Sequence, residues 1–165
     1  IVTKPHFECV ETICNELKVF KNNIMFRFTI GSTDTKILQF WEPGAPCYEE
    51  RLSCVKLAFR LGYETSLSCE PMLDNNVEEL ISKTLPFITD SIWIGKANFL
   101  LKRLKTNKCN SLKEIKKAEE LIKWQSDENI KFLYSKLKDN KKIKWKESIK
   151  KVVDLQIQTK KGLDI

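Results

Sequence analysis

Apolar and polar positions over the first hundred residues repeat one grammar: a short apolar run, a polar turn, an amphipathic stretch, and another polar turn. Such a pattern predicts βα units. Ile1-Val2-Thr3 reads as a strand end. Pro5 can open a helix on which Phe7, Val10, Ile13, Leu17 and Phe20 recur at steps of three and four, until Asn22-Asn23 breaks it. Residues 24–30 alternate as a strand and stop at Gly31-Ser32, where a long loop begins. Between 48 and 61, Leu52, Val55 and Phe59 share one helical face, and Gly62 offers a C-terminal cap. Residues 65–69 predict a strand. Asp74-Asn75-Asn76 can cap a helix carrying Val77, Leu80 and Ile81 until Pro86, and residues 91–95 predict the next strand.

Strands that alternate with helices favour parallel pairing, and the right-handed crossover rule curls such units into either an open doubly wound sheet or a barrel arc. Beyond Ala97 the strand signal fades. Ser111-Leu112-Lys113-Glu114 has capping-box spacing, with Leu112, Ile115, Ala118 and Ile122 forming an apolar stripe behind it. A second helix is expected near Ser126 or Asp127, with Ile130, Leu133 and Leu137 inward, and a third around Trp145, Ile149, Val152 and Val153. The division expected is a βα part over 1–105 and a basic helical extension over 106–165 packed against it.

Length and composition narrow the class. With 165 residues, 42% apolar and 31% charged, the chain can bury one ordinary core, and no apolar run approaches the roughly 18 residues of a membrane span. Residues 1–95 carry a net charge of −4 and residues 96–165 a net charge of +11. That basic half could meet a nucleic acid or other polyanion, although lysines interleaved with glutamates also describe a solvated helical surface. The 25 lysines against 4 arginines argue against base reading, for which bidentate Arg is the commoner tool. Cys9, Cys14, Cys47, Cys54, Cys69 and Cys109 match neither a zinc-knuckle pattern nor a dense secreted framework, and read as reduced, cytosolic thiols. The start, Ile1-Val2-Thr3-Lys4-Pro5, has no initiator Met and no leader pattern and reads as a chain entered midway.

In βα architectures chemistry collects where strands end. Here those ends are Lys4, Gly31-Ser32, Glu70 and Gly95-Lys96. Alternation sorts the faces: Ile24, Phe26, Phe28 and Ile30 lie on one side of their strand and Met25, Arg27 and Thr29 on the other, while Ser66, Ser68 and Glu70 share a side opposite Leu67 and Cys69. A sheet face holding Arg27, Thr29, Ser66, Ser68 and Glu70 must pair its polar groups, wet them or bind a ligand. The competing reading is an Arg27–Glu70 structural ion pair. Lys4 and Lys96 at the rim would suit carboxylates or phosphates. The single His6 has no partner motif for nucleophilic catalysis, and no P-loop, dinucleotide or zinc-protease signature occurs.

Taken together, the runs Phe26-Arg27-Phe28-Thr29-Ile30-Gly31-Ser32, Phe40-Trp41-Glu42-Pro43-Gly44-Ala45-Pro46, Ser68-Cys69-Glu70-Pro71-Met72-Leu73 and Ile94-Gly95-Lys96-Ala97-Asn98 resemble the carboxyl half of radical S-adenosylmethionine (radical SAM) proteins of the branch near spore photoproduct lyase. Trp124-Gln125-Ser126-Asp127-Glu128-Asn129 and Ile143-Lys144-Trp145-Lys146-Glu147 belong to the same likeness. The resemblance implies an α/β fold, a partial TIM-like barrel of which this chain supplies about four parallel strands of a (β/α)6 half-barrel, followed by the helical extension. It further implies S-adenosylmethionine and a [4Fe–4S] cluster as cofactors of the complete enzyme. The family's C-x-x-x-C-x-x-C motif is absent, so cluster ligands would come from an N-terminal half as partner, and no metal is assigned to this chain. By the same likeness Arg27, Thr29, Ser32, Ser68 and Glu70, then Lys4 and Lys96, would contact cofactor or substrate. The alternative function is a non-catalytic module that docks nucleic acid on its basic C-terminal helices.

Overall fold

A computed structural model describes residues 1–158. Five strands form one parallel sheet: β1 (Val2–Thr3), β2 (Met25–Thr29), β3 (Glu64–Cys69), β4 (Ile92–Ile94) and β5 (Ile143–Trp145). Their spatial order is their chain order, and each pairs only with its sequence neighbours. A doubly wound sheet would reverse direction at a switch point. Sequential order instead matches a singly wound, partial barrel-like arc.

The connections are α1 (Phe7–Glu16), α2 (Thr35–Trp41), α3 (Tyr48–Arg60), α4 (Val77–Thr84), α5 (Leu100–Thr106), α6 (Leu112–Trp124), α7 (Asp127–Leu137) and α8 (Glu147–Lys150). Their ends follow from local chemistry. The helix expected over 48–61 is α3, closed by a Schellman motif in which Tyr63 N–H donates to the Ala58 carbonyl and Gly62 N–H to that of Phe59. Gly62 sits at φ +80°, which a side chain would resist. Ser111 and Glu114 form the reciprocal capping box at the start of α6, and Ser126 caps α7 through Asn129 N–H.

The core lies on one side of the sheet. Phe26, Phe28, Ile30, Leu67, Cys69, Ile92, Ile94, Ile143 and Trp145 point into it and meet Val10 and Cys14 of α1, Cys54 and Val55 of α3, Leu80 of α4 and Ile130 of α7. Phe26 and Phe28 stack at 5.5 Å, and Tyr63 meets Phe26 edge-on while donating its hydroxyl to the Cys14 carbonyl at 2.7 Å. Each such side chain contributes about 1.5–3 kcal/mol by leaving water.

Three local expectations change. The helix expected through Phe20 ends at Glu16 and gives way to 3-10 turns over Lys18–Asn23 that leave Phe20 exposed. The helix expected around Trp145 is instead β5 followed by the four-residue α8. Ile143 and Trp145 flank Lys144 in a three-residue alternation, and both apolar residues are buried under α7, where Trp145 meets Tyr134 at 5.1 Å. Residues 106–158 therefore supply a sheet strand as well as helices. The long loop after β2 contains α2, whose first turn is held by Asp34 accepting from Lys36 N–H.

Candidate functional site

Parallel register carries the parity of β2 and β3 across the sheet. Thr29 pairs with Ser68, Ser68 with Trp93, and Trp93 with Lys144, so these four residues form one row on the face turned away from the core. Arg27 and Ser66 form the row beside it. None of these six residues belongs to the hydrophobic core cluster.

Trp93 organises this face. Its side chain is 5% exposed, yet it is covered by cations: Arg27 Cζ lies 5.3 Å and Lys146 Nζ 4.9 Å from the ring centroid. Both lie within cation–π range. The Trp93 indole Nε1 is buried and has no acceptor among the described residues. A buried N–H without a partner costs about 1–3 kcal/mol.

Hydrogen bonds fix the surrounding groups. Arg27 Nε donates to Ser66 Oγ at 3.1 Å, and Ser66 donates onward to the Ser91 carbonyl at 2.8 Å. The outer guanidinium nitrogen of Arg27 stands 3.8 Å from Asp90, which also accepts from Ser91 Oγ at 2.5 Å. Arg27 thus pairs with Asp90, and Glu70 pairs with Lys146 at 3.5 Å. Gly95, between those two on the end of β4, makes the second pair feasible: a Cβ there would sit 2.9 Å from Glu70 Cγ. The hydroxyls of Thr29 and Ser68 carry no hydrogen bond within the described residues.

At the carboxyl ends of β3 and β4 a polar crevice of about 270 Å³ is lined by Glu70, Pro71, Lys96, Asn98 and Arg103, among others. Gln125 holds its wall by donating to the Met72 carbonyl at 2.9 Å and accepting from Ala97 N–H at 2.8 Å. Lys96 lines it while reaching Asp127 at 3.4 Å.

The sequence-expected residues therefore divide. Arg27, Thr29 and Ser68 lie together on the polar face, and Glu70 joins that face to the crevice that Lys96 lines. Ser32 is buried in the turn after β2, where its hydroxyl donates to Asp74 and accepts from Asp34 N–H. Lys4 pairs with Glu42 at 3.3 Å, in a cluster with the fully buried Arg51. Trp93, Asp90 and Lys146 escaped sequence reasoning. Parity alone would have placed Trp93 opposite Ile92 and Ile94, in line with Ser68; Lys146 required knowledge of β5.

Among the described residues no group of three or more His, Cys, Asp or Glu side chains is placed to hold a metal. Cys14, Cys54 and Cys69 are buried, Cys47 is half-buried, and Cys9 and Cys109 are exposed. No helix among the described residues is long and apolar enough to cross a membrane. No protein-family model, curated protein or solved structure matches the chain.

Proposed function

We propose that the polar sheet face is a binding site for an anionic small molecule bearing a hydrogen-bond acceptor, and that the chain is the later-strand part of a partial TIM-like barrel. The observation that carries this reading is the Trp93 indole: buried, with an unanswered N–H, between the cations of Arg27 and Lys146. An incoming carboxylate or phosphate oxygen can neutralise Arg27 and, once the side chains that cover the indole shift aside, accept from Trp93 Nε1, while Thr29 and Ser68 offer hydroxyls in the same row. Protein dipoles fixed by the Arg27–Ser66–Ser91 chain keep those donors in place before binding.

The resemblance to radical SAM proteins makes S-adenosylmethionine the first ligand to test, its carboxylate directed to Arg27 and its hydroxyls to Thr29 and Ser68. In that setting the cofactor would supply radical chemistry once a cluster is present, and the cluster cysteines would come from an N-terminal half, since the C-x-x-x-C-x-x-C motif does not occur in these residues. The later strands act by holding and orienting the ligand, with the helices of 106–165 as the barrel's extension.

Calorimetric titration of the chain with S-adenosylmethionine, a simple dicarboxylate and inorganic phosphate tests the reading. Binding of one of them that falls about tenfold in Trp93→Phe and in Arg27→Ala is expected, each change removing about one charge-assisted or buried hydrogen bond. Equal binding by wild type and both variants would refute it.

A further inference from the structure

A second cleft, sharing no residue with the polar face, opens between α2 and α6 beside the turn after β3, with a volume of about 460 Å³. That volume falls within the roughly 300–1,000 Å³ of small-molecule sites. Its floor and walls are apolar: Ile37, Phe40 and Trp41 from α2, Leu73 from the turn, Leu121 and Trp124 from α6. Phe40 and Trp41 meet edge to face at 4.9 Å, which sets two aromatic surfaces at 85° to each other. The position also matters. Leu73 N–H is bonded to the Gly31 carbonyl at 2.9 Å, so the cleft stands at the carboxyl ends of β2 and β3, where open α/β sheets place ligands.

The rim charges select the ligand. Its acids are held by local partners: Asp74 keeps its charge but its carboxylate is drawn to the buried Ser32 hydroxyl and to Asn76 N–H, and Glu120 pairs with Lys117 at 3.0 Å. Lys36 at the rim makes no ion pair among the described residues. Nor does Lys113, whose ammonium lies 5.7 Å from the centroid of the Phe40 ring. Apolar walls, with Lys36 at the rim and Lys113 beside Phe40 and neither in an ion pair among the described residues, fit a flat ring system that ends in one anionic group. The geometry points to a binding site for an aromatic or polycyclic carboxylic acid in this cleft, rings between Trp41, Phe40 and Trp124, carboxylate toward Lys36 and Lys113.

The test is a nuclear magnetic resonance titration of the chain with 2-naphthoate, its neutral carboxamide and 2-naphthylmethylammonium, reading the four indole N–H signals. The expected result is saturable movement of the Trp41 and Trp124 signals with 2-naphthoate, weaker binding of the amide, and weakest binding of the cation. Lys36→Glu with Lys113→Glu, both exposed positions, should weaken naphthoate binding roughly tenfold without loss of signal dispersion, since surface charge pairs contribute about 0.2–1 kcal/mol each and reversal doubles the change. Phe40→Ala should weaken all three probes. The inference is overturned by absent saturation, by movement of the Trp93 signal alone, by charge reversal that leaves naphthoate affinity unchanged, or by equal affinity for the cation. The Trp93 signal reports the polar face separately, so failure of one site is distinguishable from failure of the other.

Discussion

Replacing Arg51 by Met should unfold the chain more readily than any surface change. Arg51 is fully buried, with Nε donating to the Pro46 carbonyl at 2.8 Å and Nη1 to the Thr29 carbonyl at 3.1 Å. Nη1 also stands 2.7 Å from Glu42 Oε2, off the hydrogen-bonding axis, and Glu42 reaches Lys4 at 3.3 Å. One guanidinium thus ties the end of β2 to the turn before α3 and, through Glu42, to the segment after β1. Met keeps much of the stem volume but strands two carbonyls and a carboxylate that is only 10% exposed. Breaking a buried pair from one side costs about 3–5 kcal/mol. At this chain length each kcal/mol lowers Tm by about 2–4 °C, which gives a drop of roughly 6–20 °C. Urea unfolding followed by circular dichroism measures it, and Arg51→Met combined with Glu42→Gln should recover part of the loss because no buried charge is then left unpaired, Lys4 being half-exposed to water. A single-variant cost under about 1 kcal/mol, or a double variant no better than the single, would refute the reasoning.

Gly95→Ala should cost about 1–2 kcal/mol by pushing Glu70 off Lys146, and Glu70→Ala in the same chain should relieve it, since the clash is with the Glu70 stem; a Gly95→Ala cost unchanged by Glu70→Ala would place the strain elsewhere. In thiol labelling of the native chain, Cys9 and Cys109 should react at once, while Cys14, Cys54 and Cys69 react only on unfolding. Burial, and then the charge of Glu50, pushes the Cys54 thiol up to about 12, so it stays protonated while an unfolded thiol ionises near 8.5. Folding stability is therefore untouched by this group below about pH 8.5 and falls as pH rises toward 12, where the unfolded thiol ionises and the buried one does not; rapid Cys54 labelling at pH 9 in the folded chain would contradict the burial. The basic half should bind DNA weakly, without sequence preference, and lose that binding between about 50 and 200 mM salt, because Lys117, Lys136 and Lys151 are partly neutralised by Glu120, Glu78 and Glu147; tight binding at the higher salt would require a base-reading surface.

Much of this architecture is legible in the residues themselves. The stripe from Leu52 to Phe59 with Gly62 behind it, and the Ser111–Glu114 box, encode α3 and α6 locally, so no tertiary contact was needed to read them. The parity of β2 and β3 also placed Arg27, Thr29, Ser66 and Ser68 on one face. Short elements were the difficulty: β5 is three residues in a lysine-rich stretch, and only the pairing of Ile92 with Ile143 and Ile94 with Trp145 makes it a strand. Losing β5 hid Lys146, and reading residues 91–95 as a strand without sorting its faces hid Trp93. Arg51 carries no signal of its own in the sequence, because its burial depends on Thr29, Glu42 and Pro46, which converge only in three dimensions.

The central claim rests on one proton, the indole N–H of Trp93. Its resonance, identified by its loss in Trp93→Phe, should move progressively and saturably when S-adenosylmethionine or another carboxylate or phosphate ligand enters the polar face, and its exchange with water should slow once an acceptor is in place. A Trp93 signal that no such ligand moves at saturating concentration, or one that moves identically in Arg27→Ala, would contradict the account.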